Sequence, residues 1–425
     1  MHRVKSDKQI KHARFYREYR FFLAILVVIA TYAFVLDTPS DIFRGLIEIV
    51  TSRSLLVTDY MAVGGPGAML LNGALAGGFT VLTLIIVGVK PNGATIMAMW
   101  ITVGFGFFGK NIFNMWPLTF GVWLYARFQK EPFINYSLAA VLVATLSPVV
   151  SELAFGFNTP NPWIGIGLGL ALGVFTGFVF PMISAFVIRV HDGYDLYNMG
   201  FAGGAWAMLL VAGLKAAGIT IETAELWATG YNAEMAGLIY FLCICLVAGG
   251  FIIGRGKDHV RGIKKINKAS GRLVSDYYTL YGETAYINMG LLGILATTMT
   301  LALGIDVNGP TMGGIMTIMA FGSFGKHVKN VLPIMSGAIL GALANTLDIT
   351  APGNALAILF STGLAPIAGQ FGIIWGIVAG FVHVTMVLHT GYMSSGLNLY
   401  NNGFAGGLVA MILVPIIVSI KKSRE

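Results

Sequence analysis

The sequence predicts an all-α, polytopic integral membrane protein built from two inverted-topology repeats, and three observations carry that prediction. Of 425 residues, 56% are hydrophobic and 11% charged, against about 25% charged in soluble domains. Mean hydropathy is +0.77, and the apolar stretches recur too closely for a soluble domain to fit between them. The chain also matches itself along most of its length, and its basic residues gather in a few short loops.

The internal match is dense. A displacement of 216 residues pairs Asn72 with Asn288, Gly77 with Gly293, Asn92-Gly93 with Asn308-Gly309, Lys110 with Lys326, Asn114 with Asn330, and Pro117 with Pro333. Small shifts of register extend it. Leu56-Val57-Thr58-Asp59-Tyr60 pairs with Leu273-Val274-Ser275-Asp276-Tyr277, and Leu196-Tyr197-Asn198-x-Gly-Phe-Ala-Gly-Gly pairs with the same run from Leu399. The chain divides into a basic segment 1–17, a repeat 18–214, a linker 215–233, a repeat 234–421 and a tail 422–425. Glycines four residues apart, Gly169, Gly173 and Gly177 in one copy and Gly372, Gly376 and Gly380 in the other, predict smooth helix faces for close packing.

Apolar segments fall near 21–36, 66–89, 94–108, 112–128, 135–155, 163–188 and 199–214, with seven counterparts from 235 to 420. Several are shorter than the roughly 20 residues of a full span. The chain therefore has about seven plus seven transmembrane segments, or five plus five if 94–128 and 310–347 are re-entrant hairpins. Both counts are odd per repeat, which inverts the second copy. With all fourteen crossing and the N-terminus cytoplasmic, only Arg44, Arg53, Lys110 and Lys215 among the lysines and arginines fall outside, as the positive-inside rule requires. The location expected is the plasma membrane, with both termini cytoplasmic and the Phe21–Leu36 helix an uncleaved anchor.

Polar residues inside such a chain are the functional candidates. Lys110 and Lys326 each sit at a glycine-rich break between two short apolar stretches. A lysine at mid-bilayer costs several kcal/mol unless it faces protein, water or a ligand; the alternative is that both reach the interface from helix ends. Asn92-Gly93 and Asn308-Gly309 open short helices whose N-termini, if they face each other, present free N–H groups to an anion. Ordinary helix starts would look the same. With Asn114 and Asn330, these residues form the expected substrate site. His191, Asn198, His389, Asn401 and Glu152 are candidates for gating or proton relay.

Composition excludes other classes. Cys243 and Cys245 imply no disulfide framework, and the basic charge lies in membrane-flanking loops rather than in a nucleic-acid face. No metal-ligand spacing, His-Glu-x-x-His or Gly-x-Ser-x-Gly pattern occurs, so neither enzyme activity, cofactor nor metal is expected. Inverted repeats are a recurrent plan of secondary transporters, and the reading is a carrier or facilitator for a small polar or anionic solute, with a passive channel or a membrane-embedded enzyme as alternatives. A homo-oligomer is expected on the general frequency of symmetric assemblies.

The two-copy layout with its Leu-Tyr-Asn-x-Gly-Phe-Ala-Gly-Gly run resembles an uncharacterised prokaryotic family of multi-pass membrane proteins, a domain of unknown function. In architecture it is also similar to the inverted-repeat urea and formate channels and to the seven-plus-seven nucleobase and anion carriers. It carries no urea-transporter signature.

Overall fold

The computed structural model describes residues 7–157, 161–223, 225–272 and 275–423, with side chains from residue 17 onward. Arg3 and Lys5 of the basic N-terminal segment, Leu273-Val274 of the duplicated loop motif, and Arg424 of the tail lie outside the described residues.

Among the described residues, each repeat contributes nine helices in the same order. The first has α1 (Asp7–Leu36), α2 (Pro39–Thr51), α3 (Tyr60–Gly64), α4 (Pro66–Val87), α5 (Gly93–Phe105), α6 (Ile112–Phe128), the irregular α7 (Phe133–Gly156), α8 (Pro162–Val187) and α9 (Asn198–Ala216). The second has α10 (Asn232–Ile253), α11 (His259–Ile266), α12 (Tyr277–Tyr281), α13 (Thr284–Ala302), α14 (Gly309–Ala320), α15 (Val328–Ala344), α16 (Pro352–Phe371), α17 (Ile373–Ser394) and α18 (Asn401–Lys422). Among the described residues, ten helices are long and apolar enough to cross a membrane: α1, α4, α7, α8 and α9, and their counterparts. This is a multi-pass membrane protein, with five such helices in each repeat among the described residues rather than seven.

The short helices α5 and α6 make the difference. Helix α4 turns at Gly88, whose φ of +78° suits a residue without Cβ, and α5 returns beside it, with Val103 and Phe107 seated against Gly77 and Gly73. After a break at 106–111, α6 runs back toward its starting side. A recess lined by Lys90, Asn92 and Thr95 together with Ile134 and Ser137 places the α4–α5 turn beside the start of α7, the helix that follows α6 across the short loop 129–132. The pair is thus a re-entrant hairpin, and α14–α15 is its twin.

The two half-helices α5 and α14 lie side by side and run antiparallel. Gly104 at the end of α5 meets Gly313 in the first half of α14, the start of α5 meets Ser323 beyond the end of α14, and the start of α14 meets Phe107 beyond the end of α5. That arrangement inverts one repeat relative to the other.

The glycine faces do what their spacing predicts except at Gly372, which precedes α17 with φ of +100° and has open space around it. Helix α8 presses on α6, and a Cβ on Gly177 would stand 2.0 Å from the Leu118 carbonyl oxygen; on α17 a Cβ at Gly380 would stand 2.0 Å from that of Ile334. No side chain can yield there, because the obstacle is backbone. Gly177→Ala is expected to cost about 1–3 kcal/mol, the usual range for overpacking, in detergent unfolding, whereas Gly167→Ala, with open space around it, leaves the midpoint unchanged.

At the start of α13, buried Glu283 pairs with Lys257 and with Arg17 at 2.6 Å. Burial works against its charge, yet these cations outweigh it and hold the carboxyl below its usual range. A carboxyl with a lowered folded pKa stabilises fully above its unfolded pKa and loses that contribution as pH falls through the folded one. Both cations are part-exposed, so Glu283→Gln should cost only about 1 kcal/mol at neutral pH and should flatten the acid limb of a stability–pH curve.

Candidate functional site

The breaks in the two hairpins are held open by one asparagine each. Asn72 Nδ2 donates to the carbonyls of Gly106 (2.6 Å) and Lys110 (2.8 Å), and Asn288 Nδ2 to those of Gly322 and Lys326, both at 2.8 Å. Gly109 and Gly325 turn the chain with φ of +85° and +95°. Backbone that leaves the helix inside a membrane needs such internal partners, and the Lys110 and Lys326 side chains are thereby fixed at the hairpin tips.

Both lysines are fully buried, and each reaches the opposite repeat. Lys110 Nζ donates to the Tyr400 hydroxyl at 2.5 Å and lies over the rings of Tyr400 and Phe105. Lys326 Nζ donates to the Tyr197 hydroxyl at 2.5 Å and to Thr362 Oγ1 at 2.8 Å, over the rings of Tyr197 and Phe321. Hydroxyls and ring faces, rather than a carboxylate at ion-pair distance, meet each ammonium among the described residues. Cation–π contact and hydroxyl acceptance solvate a charge without neutralising it.

Between the two pairs lies a cavity of about 200 Å³. Phe105, Phe321, Phe360, Tyr197 and Tyr400 line its interior, with Asp195, Asn198 and Asn402 among the few polar groups. At one end it reaches Ala94, Leu138, Ile188 and Gly193, close to Arg272 of the basic loop, which pairs with Asp192 at 2.5 Å. Pro310, the counterpart of Ala94, is not in the lining, nor is Gly391, which occupies the Gly193 position of the second copy. The lining is therefore asymmetric between the repeats, taking Ala94 and Gly193 from the first without their counterparts from the second.

Other expected site residues have different employment. The N-termini of α5 and α14 do not face each other, since the two helices are antiparallel. Asn92 and Asn308 form capping boxes with Thr95 and Thr311. The Gly93 N–H is taken by both carboxylate oxygens of Asp276 at 2.9 Å, and Asp59 accepts from Gly309 while also binding the Ala228 N–H at 2.9 Å. The half-helix ends are thus already closed by a carboxylate from the opposite repeat. Asn114 and Asn330 cap α6 and α15, and their amides bind the Gly109 and Gly325 carbonyls at 3.0 and 2.9 Å. Neither lines the cavity.

Glu152 is buried and engaged by Arg53 at 2.7 and 2.5 Å, a closed ion pair rather than a relay. His191 is buried, with Nε2 3.0 Å from Asn198 Oδ1, and Asn198 borders the cavity. His389 is exposed on α17, bonded to the Thr385 carbonyl of its own helix at 2.9 Å, because that helix continues to Ser394 where α8 stops at Val187. Asn401 is buried at the start of α18 near Ser394 Oγ, 3.4 Å away. Sequence reasoning did not single out Tyr197, Tyr400, Thr362 or Asp195; the two tyrosines stand in the duplicated run, and their recurrence there was the available signal.

Fold and cavity define a class: a polytopic membrane protein of two inverted repeats, each sending a buried lysine into the other. Within that class the chain belongs to the family described as protein of unknown function (DUF1576), whose model matches residues 38–216 and 256–419, one region per repeat. No curated protein and no solved structure matches it.

Proposed function

We propose that this protein is a secondary carrier or facilitator for a small polar or anionic solute, seated in the plasma membrane with both termini cytoplasmic. The observation that carries the reading is the reciprocal pair Lys110–Tyr400 and Lys326–Tyr197: both tyrosines line one inter-repeat cavity, and each lysine, itself outside the lining, is bonded to one of them. A buried ammonium left without a counter-charge is costly, and an anion entering the cavity supplies the missing partner. The aromatic and aliphatic lining favours a small organic anion with an apolar body over an inorganic one.

Two further features support transport over storage or scaffolding. Inverted repeats can exchange conformations and so open alternately to each side, and the cavity lining here is asymmetric between the repeats. Arg272 of the basic loop 255–272, which the positive-inside rule assigns to the cytoplasm, pairs with Asp192 beside the Gly193 of that lining. A passive channel remains the alternative within the class.

The test is uptake into proteoliposomes of small organic anions, chosen by their ability to raise the unfolding midpoint of the detergent-purified protein. Saturable uptake abolished by collapsing ion gradients supports a carrier, and uptake indifferent to gradients supports the channel. Catalytic turnover of a stabilising compound, with no uptake, would overturn both.

A further inference from the structure

Around the cavity the two repeats differ at several positions, such as Ala94 against Pro310 and Ile101 against Thr317, and one of the differences exchanges a carboxyl for an amide. The loop before α9 reads Asp195-Leu-Tyr197, and the loop before α18 reads Asn398-Leu-Tyr400. The backbones are used identically: Leu196 N donates to Gly363 O and Leu399 N to Thr145 O, each at 2.9 Å. One side-chain oxygen of each is used alike, Asp195 Oδ1 accepting from Tyr197 N at 2.9 Å and Asn398 Oδ1 from Tyr400 N at 3.2 Å, although Asn398 Oδ1 also accepts from Thr145 Oγ1 at 2.7 Å, where the first loop meets Gly363 and no hydroxyl. The second side-chain atom differs. Asn398 Nδ2 donates to the Gly200 carbonyl at 3.0 Å, whereas Asp195 Oδ2, in a residue only 2% exposed, accepts no hydrogen bond.

The counterpart of Gly200 is Gly403, so if the pseudo-symmetry holds at this point its carbonyl oxygen stands opposite the unpartnered Asp195 Oδ2. Two acceptors facing each other in a water-poor interior repel; a proton between them turns the conflict into an O–H···O=C bond. We propose that Asp195 is a proton-binding site of the cavity, holding a proton on Oδ2 in this state and releasing it to water through the end lined by Ala94 and Gly193.

The charged and titratable groups around it fit that assignment. Lys326 faces it across the repeat interface, and His191, Asp192 and Tyr197 belong to its own loop. Gly363 of α16 and Gly406 of α18, packed on its carboxyl, bring no charge. When the O–H bond breaks, the carboxylate keeps the electron pair and the Lys326 ammonium is the nearest cation to balance it. An anion arriving at Lys326 competes for the same positive charge and so draws the proton back onto Oδ2. This last step rests on the transport reading and would make the protein a proton–anion symporter; the proton site itself does not depend on it.

The experiment is infrared difference spectroscopy of the full-length protein, acid minus alkaline, with no solute present. Wild type should show a carboxylic-acid carbonyl band that is exchanged for a carboxylate band as pH rises, and Asp195→Asn should lose that component. Because Asn398 fills the equivalent position, this variant should fold; the reverse change, Asn398→Asp, should add a second such component and serves if it does not. A spectrum unchanged by both variants overturns the proposal, as does a carboxylate band moved by sodium against choline at fixed pH without any acid band. A titrating band with no solute found in any screen would sink the transport reading alone, and bound solute without the band would sink this one alone.

Discussion

Lys110→Met and Lys326→Met are expected to fold about as stably as wild type and to lose their response to solute. Exchanging a buried ion for an apolar chain of similar volume is neutral or stabilising by about 1–4 kcal/mol. Against that, the stranded hydroxyl of Tyr400 costs about 1–3 kcal/mol, so Lys110→Met should lie near zero, while Tyr197 keeps the Thr362 hydroxyl at 3.3 Å and Lys326→Met should be no less stable. Adding Tyr400→Phe to Lys110→Met removes the orphan and should leave a net gain. Solute behaves oppositely. At 100 times its dissociation constant a ligand stabilises the native state by about 2.7 kcal/mol, and that increment should vanish when its cation is gone. Stability kept and binding lost is the mark of a residue retained for function. Lysines that merely tie the repeats together would give the reverse: variants less stable by several kcal/mol, still protected by solute to the wild-type extent. Unfolding midpoints with and without the solute decide between them.

How far the sequence led can be argued residue by residue. Lys110 and Lys326 were legible because a charge in a glycine-rich break within apolar surroundings is expensive, and its recurrence in both copies removes accident as an explanation. Their partners were not. The Lys110–Tyr400 bond joins residues 290 apart, and no local pattern reports a contact made across two repeats. Asn92 and Asn308 were readable as caps from the threonine three residues on. That Asp276 and Asp59 reach over to close the same helix ends depends on the antiparallel packing of α5 and α14, which only the fold supplies. The segments of α5 and α6, 13 and 17 residues long, fall where a short span and half a hairpin have the same hydropathy. His389 misled for a simpler reason: the five residues inserted before Leu399 extend α17 and leave the histidine on its outer face.

Asn72 and Asn288 show how the same fold separates holding a lysine from using it. Each amide donates to two carbonyls, one of them the lysine's own, so it fixes both the break and the direction in which the ammonium leaves it. Leucine is close in volume but donates nothing. Asn72→Leu strands two buried carbonyls, at about 1–3 kcal/mol each, and in this interior no water is at hand to compensate. The expected cost is about 2–6 kcal/mol by that arithmetic, read as a lower detergent-unfolding midpoint, and the solute response should fall with it because Lys110 is no longer held against Tyr400. The contrast with Lys110→Met is the informative part. Loss of binding with stability kept identifies the group that meets the solute, and loss of both identifies the group that positions it. Should Asn72→Leu unfold like wild type and keep its solute response, the glycine turn at 109 would suffice to shape the break, and the asparagine would have to be withdrawn from the site.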